Sequence, residues 1–190
     1  MGKRIGVLAL QGSVAEHRDA LARLPGVTPV SVREPDDLKR LDGLILPGGE
    51  STTISLLLRI FEMAKPLSRR IASGMPVWGT CAGMILLAKE IEGESPHYPF
   101  MDMRVRRNAY GRQLGSFRTT LSIPALAAAP VACVFIRAPW VEKVWGEAET
   151  LAEVDGRIVA VRQGAWLATA FHSELTEDSA VHAAFVAMCF

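Results

Sequence analysis

Short apolar runs alternate with amphipathic segments through the first half of the chain. The runs lie at 3–10, 27–32, 44–46 and 76–79, and charged residues, glycine or proline flank them. Runs of this length and setting predict buried strands. Because helical patterns separate them, they predict an α/β fold with a mostly parallel central sheet covered on both faces.

Helix start and stop signals fall between these runs. Ser13 and Glu16 form the pattern of an N-cap and capping box, and Pro25-Gly26 ends the helix that they begin. Further helices are predicted after the hydroxyl-rich stretch 51–53, over 82–89 and, with Thr176 as its cap, over 176–188.

The second half of the chain has a different pattern. Short runs rich in β-branched and aromatic residues are separated by Gly, Pro and Asn, which predicts antiparallel strands that extend or flank the sheet. These runs lie at 117–123, 131–136, 141–145, 150–154, 157–162 and 166–171, and the segment 92–99 is a predicted loop.

Composition narrows the classes of function. The chain has 190 residues, which favours a single domain, and its net charge of +1 gives no field that would attract nucleic acid or an anionic membrane. The uncharged window 119–136 has the length of a membrane span, but it contains Pro124 and Pro130 and is rejected as one. Three cysteines leave at least one unpaired, which favours a reducing, cytoplasmic setting.

The sequence GTCAG at 79–83 has the pattern of a nucleophile elbow, with cysteine in the central position. Such a strand-to-helix turn forces a strained backbone on its central residue and needs small neighbours. It presents the side chain at the carboxyl edge of the sheet, beside amides that stabilise a thiolate and an oxyanion. Cys81 is therefore the predicted nucleophile. The alternative, a small buried side chain, is the interpretation given to Cys133 and Cys189.

A cysteine nucleophile needs a base, and His172 is the predicted one. It follows a predicted strand, and in extended chain its side chain points to the same side as that of Glu174. Glu174 would then hold the imidazole in its working tautomer, although such a pair is also common at an exposed strand end. The other histidines, His17, His97 and His182, are predicted to lie on helix surfaces or in loops.

Gly48-Gly49 closes the third predicted strand and is the candidate oxyanion segment. Adjacent glycines let backbone N–H groups approach a developing anion closely. An ordinary glycine-rich turn before a Ser51 cap would give the same pattern. A phosphate-binding loop is excluded, because no Gly-Lys-Ser/Thr follows.

Together these motifs resemble the class I glutamine amidotransferases, which carry a G-x-C-x-G elbow, a Cys-His-Glu triad and a Pro-Gly-Gly oxyanion strand. More narrowly, the chain resembles the glutaminase subunits of pyridoxal 5′-phosphate synthase, the PdxT/SNO family. The closer match lies in GVLALQG at 6–12, LPGGESTT at 46–53, GTCAG at 79–83, RNAYGRQ at 107–113, FIRAP at 135–139 and FHSELT at 171–176. The chain departs from the family at Ser173, where a proline is usual, and this side chain is expected to point away from the site.

The resemblance implies a Rossmann-like three-layer sandwich, with one glutamine amidotransferase domain over 1–190. It implies hydrolysis of L-glutamine to L-glutamate and ammonia without cofactor or metal, and delivery of the ammonia to a barrel-shaped synthase subunit. The motif match assigns the binding of glutamine and its oxyanion to Gly48, Gly49, Glu50, Ala82, Arg107, Ile136 and Arg137. Gln11 is expected to couple the site to the partner.

The charges of these residues suit an amino acid substrate. Arg107 or Arg137 could hold the substrate carboxylate with a fork of N–H donors, and Glu50 could pair with its ammonium group. The stretch that carries Arg104, Arg106, Arg107, Arg112 and Arg118 is predicted to form either a solvated basic face or a docking surface for the synthase.

Two other functions remain open at this stage. One is a stand-alone cysteine hydrolase or peptidase of the same fold, and the other is a non-catalytic subunit that only scaffolds a partner.

Overall fold

The computed structural model describes residues 2–107 and 116–189 of the chain. The strands are β1 (Lys3–Leu8), β2 (Val27–Val32), β3 (Gly43–Leu46), β4 (Val77–Thr80), β5 (Ala88–Ile91), β6 (Met101–Arg106), β7 (Ser116–Leu121), β8 (Val131–Ile136), β9 (Trp140–Val144), β10 (Glu149–Val154), β11 (Arg157–Gln163) and β12 (Trp166–Thr169). The helices are α1 (Val14–Ala22), α2 (Ser51–Ile60), α3 (Ala64–Ala72), α4 (Ala82–Leu87) and α5 (Ala180–Met188), with 3₁₀ helices at Pro35–Arg40 and Ser173–Leu175.

The central sheet has the order β2-β1-β3-β4-β12-β11-β9-β6-β5, and β10 pairs with β11 at its side. Its first half, from β2 to β12, is parallel throughout. From β12 onward the sheet is antiparallel, because β12, β11, β9 and β6 pair in antiparallel fashion. The last pair, β6 and β5, is parallel again. The fold is therefore α/β with a mostly parallel central region and antiparallel strands from the second half, as predicted.

Helices cover the parallel region in layers. The connection from β1 through α1 to β2 and the one from β3 through α2 and α3 to β4 run in opposite directions along the sheet. Since such crossovers are right-handed, they place α1 and α2 on opposite faces. Helix α5 packs beside α1, and α4 lies against β3, β4 and β12. The result is a three-layer sandwich whose core strands are buried along their length.

The carboxyl ends of four adjacent parallel strands meet at one edge of the sheet, in the order β1, β3, β4 and β12. The segments that leave these ends are 9–13, 47–50, the turn at Cys81 and 170–174. These are the segments in which the sequence places the elbow, the triad and the oxyanion glycines. The loop edge of a parallel sheet is where α/β folds bind ligands.

Several predicted elements have different limits in the structure. The helix expected over 82–89 ends at Leu87, because Ala88 turns to an extended backbone (φ −69°, ψ 137°) and begins β5, which pairs with β6. The last helix begins at Ala180 rather than after Thr176, since the chain first completes the 3₁₀ helix at Ser173–Leu175. Neither α3 nor the 3₁₀ helix at Pro35–Arg40 was anticipated from the sequence.

Strands β7 to β12 follow the prediction to within a few residues, whereas β6 (Met101–Arg106) was not predicted. Strands β7 and β8 form their own antiparallel hairpin and do not join the central sheet, so they flank it, which is one of the two arrangements expected. The hairpin is held to the site by a backbone hydrogen bond from His172 N–H to Val134 C=O (2.7 Å). Across the described ranges, no helix combines the length and apolar character needed to cross a membrane.

Candidate active site

Cys81 occupies a sharp turn between β4 and α4. Its backbone has φ 50° and ψ −100°, a positive φ that a non-glycine residue rarely adopts. The flanking glycines are required by close packing: a Cβ at Gly79 would lie 2.4 Å from the Gly83 carbonyl oxygen, and one at Gly83 would lie 2.1 Å from that of Leu46. The Cys81 amide donates to the Thr169 carbonyl of β12 (2.8 Å), which fixes the turn to the neighbouring strand. This is the geometry of a nucleophile elbow.

His172 and Glu174 form a buried hydrogen-bonded pair at the end of β12. The His172 Nδ1 lies 2.6 Å from Glu174 Oε1. The expected pairing is therefore present, but its backbone differs from the prediction. Strand β12 ends at Thr169, and Glu174 lies in the 3₁₀ helix Ser173–Leu175. The two side chains meet because the chain turns, whereas the sequence analysis placed both on one side of an extended strand.

Interactions within this pair and with Cys81 shift the pKa of both residues. Burial alone would lower the pKa of His172, but hydrogen bonds with Cys81 and Glu174, together with the charges of both groups, raise it to about 10. Burial alone would raise the pKa of Glu174, whereas the positive charge that His17 and His172 carry when protonated, together with hydrogen bonds from His172 and Ser13, lowers it to about 2. The favoured state is an imidazolium between a carboxylate and the cysteine sulfur.

The glycine pair after β3 packs directly against the histidine. A Cβ at Gly48 would lie 2.3 Å from His172 Cε1, so only glycine fits there. The Gly48 carbonyl accepts a hydrogen bond from the Ser13 amide (3.0 Å). Because the peptide is planar and trans, the Gly49 N–H points away from Ser13. Gln11 reaches the same segment, since its Oε1 accepts a hydrogen bond from the Glu50 amide (2.9 Å).

A cavity of about 110 Å³ opens beside the Cys81 side chain. It is lined by Gly49, Glu50, Ser51, Cys81, Ala82, Ile85, Arg107, Ile136, Arg137 and Pro139. The predicted binding residues therefore line one cavity, with the exception of Gly48, which packs against His172. Ser51, Ile85 and Pro139 were not anticipated. The Ser51 hydroxyl is buried and has no hydrogen-bond partner among the described residues.

The two arginines of the cavity differ in their ion pairing. Arg107 is held between two carboxylates: its Nη2 lies 2.6 Å from Glu50 Oε1, and its Nη1 lies 2.9 and 3.1 Å from the Glu94 oxygens. Arg137 directly follows the hairpin strand β8, has a positive φ of 42° and is exposed. No carboxylate in residues 2–107 or 116–189 forms an ion pair with it. Arg137 is thus the better placed of the two to receive a substrate carboxylate.

The basic stretch of the sequence is largely neutralised by residues distant in the chain. Arg104 pairs with Glu90 and Glu142, and Arg106 pairs with Glu92 and Glu142. Glu90 lies in β5, Glu92 directly follows that strand and Glu142 lies in β9, and both strands flank β6. Arg104 and Arg106 remain partly exposed to solvent, but their charges are paired with acids that the sequence spacing does not reveal. Arg112 and most of the RNAYGRQ motif lie outside the described residues.

Two histidines that the sequence analysis assigned to helix surfaces or loops are in fact fully buried next to Glu174. His17 of α1 and His182 of α5 contact each other, with Nδ1 of His17 3.0 Å from Nε2 of His182. Ser13 was also misjudged: it holds the N-cap position of α1, but its hydroxyl donates to Glu174 Oε1 (2.8 Å) and makes no capping bond. The spacing of Ser13, His17 and Leu21 by four residues was the available signal, since such positions share one helix face.

The other cysteines lie apart from this chemistry. Cys133 and Cys189 are buried, and burial raises the pKa of each thiol to about 12. All cysteines of the chain are free. Among the described residues, no group of three or more His, Cys, Asp and Glu side chains is arranged to hold a metal ion.

Comparison with known proteins gives matches over nearly the whole chain. The model of the SNO glutamine amidotransferase family matches residues 7–190. The pyridoxal 5'-phosphate synthase subunit PdxT of Frankia casuarinae is 55% identical over 188 residues, which cover 97% of this chain and 94% of the relative. The protein of the same name from Herpetosiphon aurantiacus is 54% identical over 190 residues, covering 97% and 99%.

Solved structures agree with this. A crystal structure described as a glutamine amidotransferase has a TM-score of 0.91 at 44% identity, covering 97% of this chain and 98% of its own. The structure of PurLQS from Thermotoga maritima has a TM-score of 0.71 at 16% identity, covering 98% and 99%, and shares the fold alone.

Proposed function

The chain belongs to the SNO glutamine amidotransferase family, and we propose that it is the glutaminase subunit of a pyridoxal 5′-phosphate synthase, which hydrolyses L-glutamine to L-glutamate and ammonia. The observation that carries the proposal is the position of Cys81. It lies in an elbow beside the buried His172–Glu174 pair, at a cavity that also holds Glu50 and Arg137. The reaction needs no cofactor or metal.

The chemistry follows from the roles of these groups. The Cys81 thiolate attacks the carboxamide carbon of glutamine, and the charge that develops on oxygen is stabilised by the amides of Ala82 and the Gly48-Gly49 segment. The His172 imidazolium gives its proton to the leaving nitrogen, so the C–N bond breaks, ammonia leaves and a glutamyl thioester remains. His172, now neutral, takes a proton from water, and the resulting hydroxide releases glutamate and restores the thiolate.

The ends of glutamine match the polar groups of the cavity. We assign the substrate carboxylate to Arg137, because Arg107 already has Glu50 and Glu94 as partners. The substrate ammonium falls to Glu50, whose carboxylate Arg107 orients. The buried Ser51 hydroxyl, which lacks a partner among the described residues, is a further group available to the substrate. Ile136 borders the aliphatic part of the substrate.

A partner is needed to use the ammonia. Free ammonia in water is mostly protonated and no longer nucleophilic, so the product must pass directly to the barrel-shaped synthase subunit. Gln11 is the proposed link to that partner. It lies in the segment that follows the carboxyl end of β1, and its side-chain oxygen accepts a hydrogen bond from the amide of Glu50, beside the oxyanion segment. We place the protein in the cytoplasm, where its unpaired cysteines would stay reduced.

The proposal is tested by ammonia and glutamate release from L-glutamine, with and without the synthase subunit. We expect the isolated chain to turn over glutamine slowly, because one oxyanion amide is misaligned until the synthase docks. Docking should then raise turnover by about 10² to 10³, the factor that one oxyanion donor contributes. Gln11→Ala should blunt the rise. Equal turnover with and without the synthase would instead favour the stand-alone hydrolase, and no glutamine hydrolysis in either state would favour the non-catalytic scaffold.

A further inference from the structure

The Glu174 carboxylate is buried, and its oxygens have different surroundings. Oε1 receives two hydrogen bonds, from the Ser13 hydroxyl (2.8 Å) and from His172 Nδ1 (2.6 Å). Oε2 has no hydrogen-bond partner among the described residues. A buried carboxylate oxygen without a donor is costly, so the group that faces Oε2 decides how firmly the charge is held.

His17 is the group that faces this oxygen. Its Nε2 lies 3.6 Å from Glu174 Oε2 and 3.2 Å from the Thr80 hydroxyl, which directly precedes Cys81. The ring makes a T-shaped contact with Trp78, with centroids 5.4 Å apart. Its Nδ1 lies 3.0 Å from Nε2 of His182. The ring is therefore fixed on every side.

These contacts select one tautomer. If His182 donates from Nε2 to His17 Nδ1, then His17 carries its proton on Nε2 and directs it towards Glu174 Oε2 and Thr80. The His182 Nδ1, which has no partner among the described residues, is then an unprotonated acceptor. The opposite tautomer would bury an unpaired N–H on His182 and turn a lone pair of His17 towards the carboxylate. The first arrangement satisfies every N–H and is the one we assign.

We propose that His17 is a positioning residue for the catalytic pair: its Nε2–H faces the second oxygen of Glu174 and holds that carboxylate ionised and fixed beneath His172. The inference rests on the proposed glutaminase function, since it assigns a task within the same site. His17 touches neither the cavity nor the reacting atoms, and it acts only through Glu174.

The titratable groups around the ring are consistent with a neutral imidazole. Burial is the largest influence and lowers the pKa of His17, although the charges of Glu174 and Glu16 oppose it and that of His172 adds to it. Burial, the neighbouring His17 and Arg23 lower the pKa of His182 to about 3, against the opposing charge of Glu174. A neutral donor suits this position, because a second buried cation would compete with the His172 imidazolium for Glu174.

A matched pair of substitutions tests the role. In His17→Gln, the side-chain amide reaches the place of Nε2, so an N–H can still point towards Glu174 Oε2 and Thr80. In His17→Asn, the amide reaches only the place of Nδ1, so the contact with His182 survives and the N–H that faces Glu174 Oε2 is lost. Phe185→Leu is the packing control, because Phe185 is buried in the same cluster against Trp78 and carries no polar group.

The readout is the rate of Cys81 alkylation by iodoacetamide against pH, measured by peptide mass spectrometry on the full chain. In His17→Asn, we expect the acid limb of this profile to move up by about one pH unit, because Glu174 then takes up a proton more readily and the His172–Cys81 ion pair weakens. With the synthase present, kcat for glutamine should fall about tenfold at nearly constant KM. His17→Gln should stay close to wild type, and Phe185→Leu should lower Tm without moving the acid limb.

The outcomes separate this inference from the proposed function. A folded His17→Asn variant with the wild-type acid limb and kcat would overturn the inference while wild-type glutaminase activity stands. An equal shift in Phe185→Leu would overturn it as well, since packing alone would then explain the effect. A wild-type complex that does not hydrolyse glutamine would overturn the proposed function, and the inference with it.

Discussion

Cys81 holds a backbone conformation that costs of the order of 1–3 kcal/mol for a non-glycine residue. The surrounding residues keep it there: Gly79 and Gly83 allow the close approach of the chain, and the hydrogen bond to Thr169 ties the turn to β12. Strain of this kind is common at sites where a side chain must be presented in one direction. The position of the proposed nucleophile therefore depends on its neighbours as well as on the cysteine itself.

The catalytic pair gives the first prediction. His172→Asn should lower glutamine turnover by several orders of magnitude, because the thiolate then has no imidazolium beside it and the leaving nitrogen has no proton donor. Glu174→Gln should cost about 10²-fold less than this, since the histidine survives and loses only its orientation and counter-charge. Steady-state kcat in the presence of the synthase is the measurement. A His172→Asn variant with wild-type turnover would show that another group is the base.

Arg137 gives a second prediction at this scale. Arg137→Gln should raise KM for glutamine by about 10- to 100-fold with little change in kcat, because a charged hydrogen bond to the substrate carboxylate contributes about 1.5–3 kcal/mol. Arg118→Gln is the matched control, since this arginine of β7 is exposed and does not line the cavity. The same KM for the Arg137 variant and the control would remove Arg137 from the substrate site.

At the scale of elements, the parallel strands were predictable because each is a short apolar run with a breaker at its end. The same breakers, Gly48-Gly49 and the elbow at Cys81, hold residues of the proposed site, so the sequence pattern that predicts the strands also predicts the site. The extent of α4 was not predictable, because residues 82–88 are all apolar or glycine and buried. Such a run has no polar face to mark where helix gives way to strand.

Contacts between residues far apart in the sequence account for the remaining differences between the prediction and the structure. Nothing local indicates that His17 and His182, 165 positions apart, face each other, because only the packing of α1 against α5 brings them together. The acids that neutralise Arg104 and Arg106 are likewise supplied by neighbouring strands. The His172–Glu174 pair was predicted correctly as a pair, although the turn that forms it was not.

The 3₁₀ helix after β12 gives a prediction about stability. Ser173 is its first residue. This position suits proline, because residues of a 3₁₀ helix have φ of about −50 to −70° and the first N–H has no partner within the helix. His172 before it is extended, and the buried Ser173 hydroxyl lacks a partner among the described residues. Ser173→Pro should therefore stabilise the fold by about 0.5–1 kcal/mol, measured by urea unfolding. A lower stability, or a lost His172–Glu174 contact, would contradict this account of the turn.

At the scale of the whole molecule, the sheet brings distant parts of the chain to one edge. Adjacent strands β1, β3, β4 and β12 deliver Gln11 and Ser13, the oxyanion glycines, Cys81 and the catalytic pair. Ser13 joins these parts directly, because its amide binds Gly48 and its hydroxyl binds Glu174. A partner that contacts the segment after β1 would thus reach the oxyanion segment and the catalytic pair through one short stretch of chain.

The most direct test of the account is to trap the covalent intermediate. The complex with the synthase is mixed with isotope-labelled L-glutamine, quenched in acid, digested with pepsin and mapped by mass spectrometry. The account predicts a labelled glutamyl group on the peptide that contains Cys81, and none in Cys81→Ala, which should also release no ammonia. A label on Cys133 or Cys189, or glutamine hydrolysis by Cys81→Ala, would contradict it.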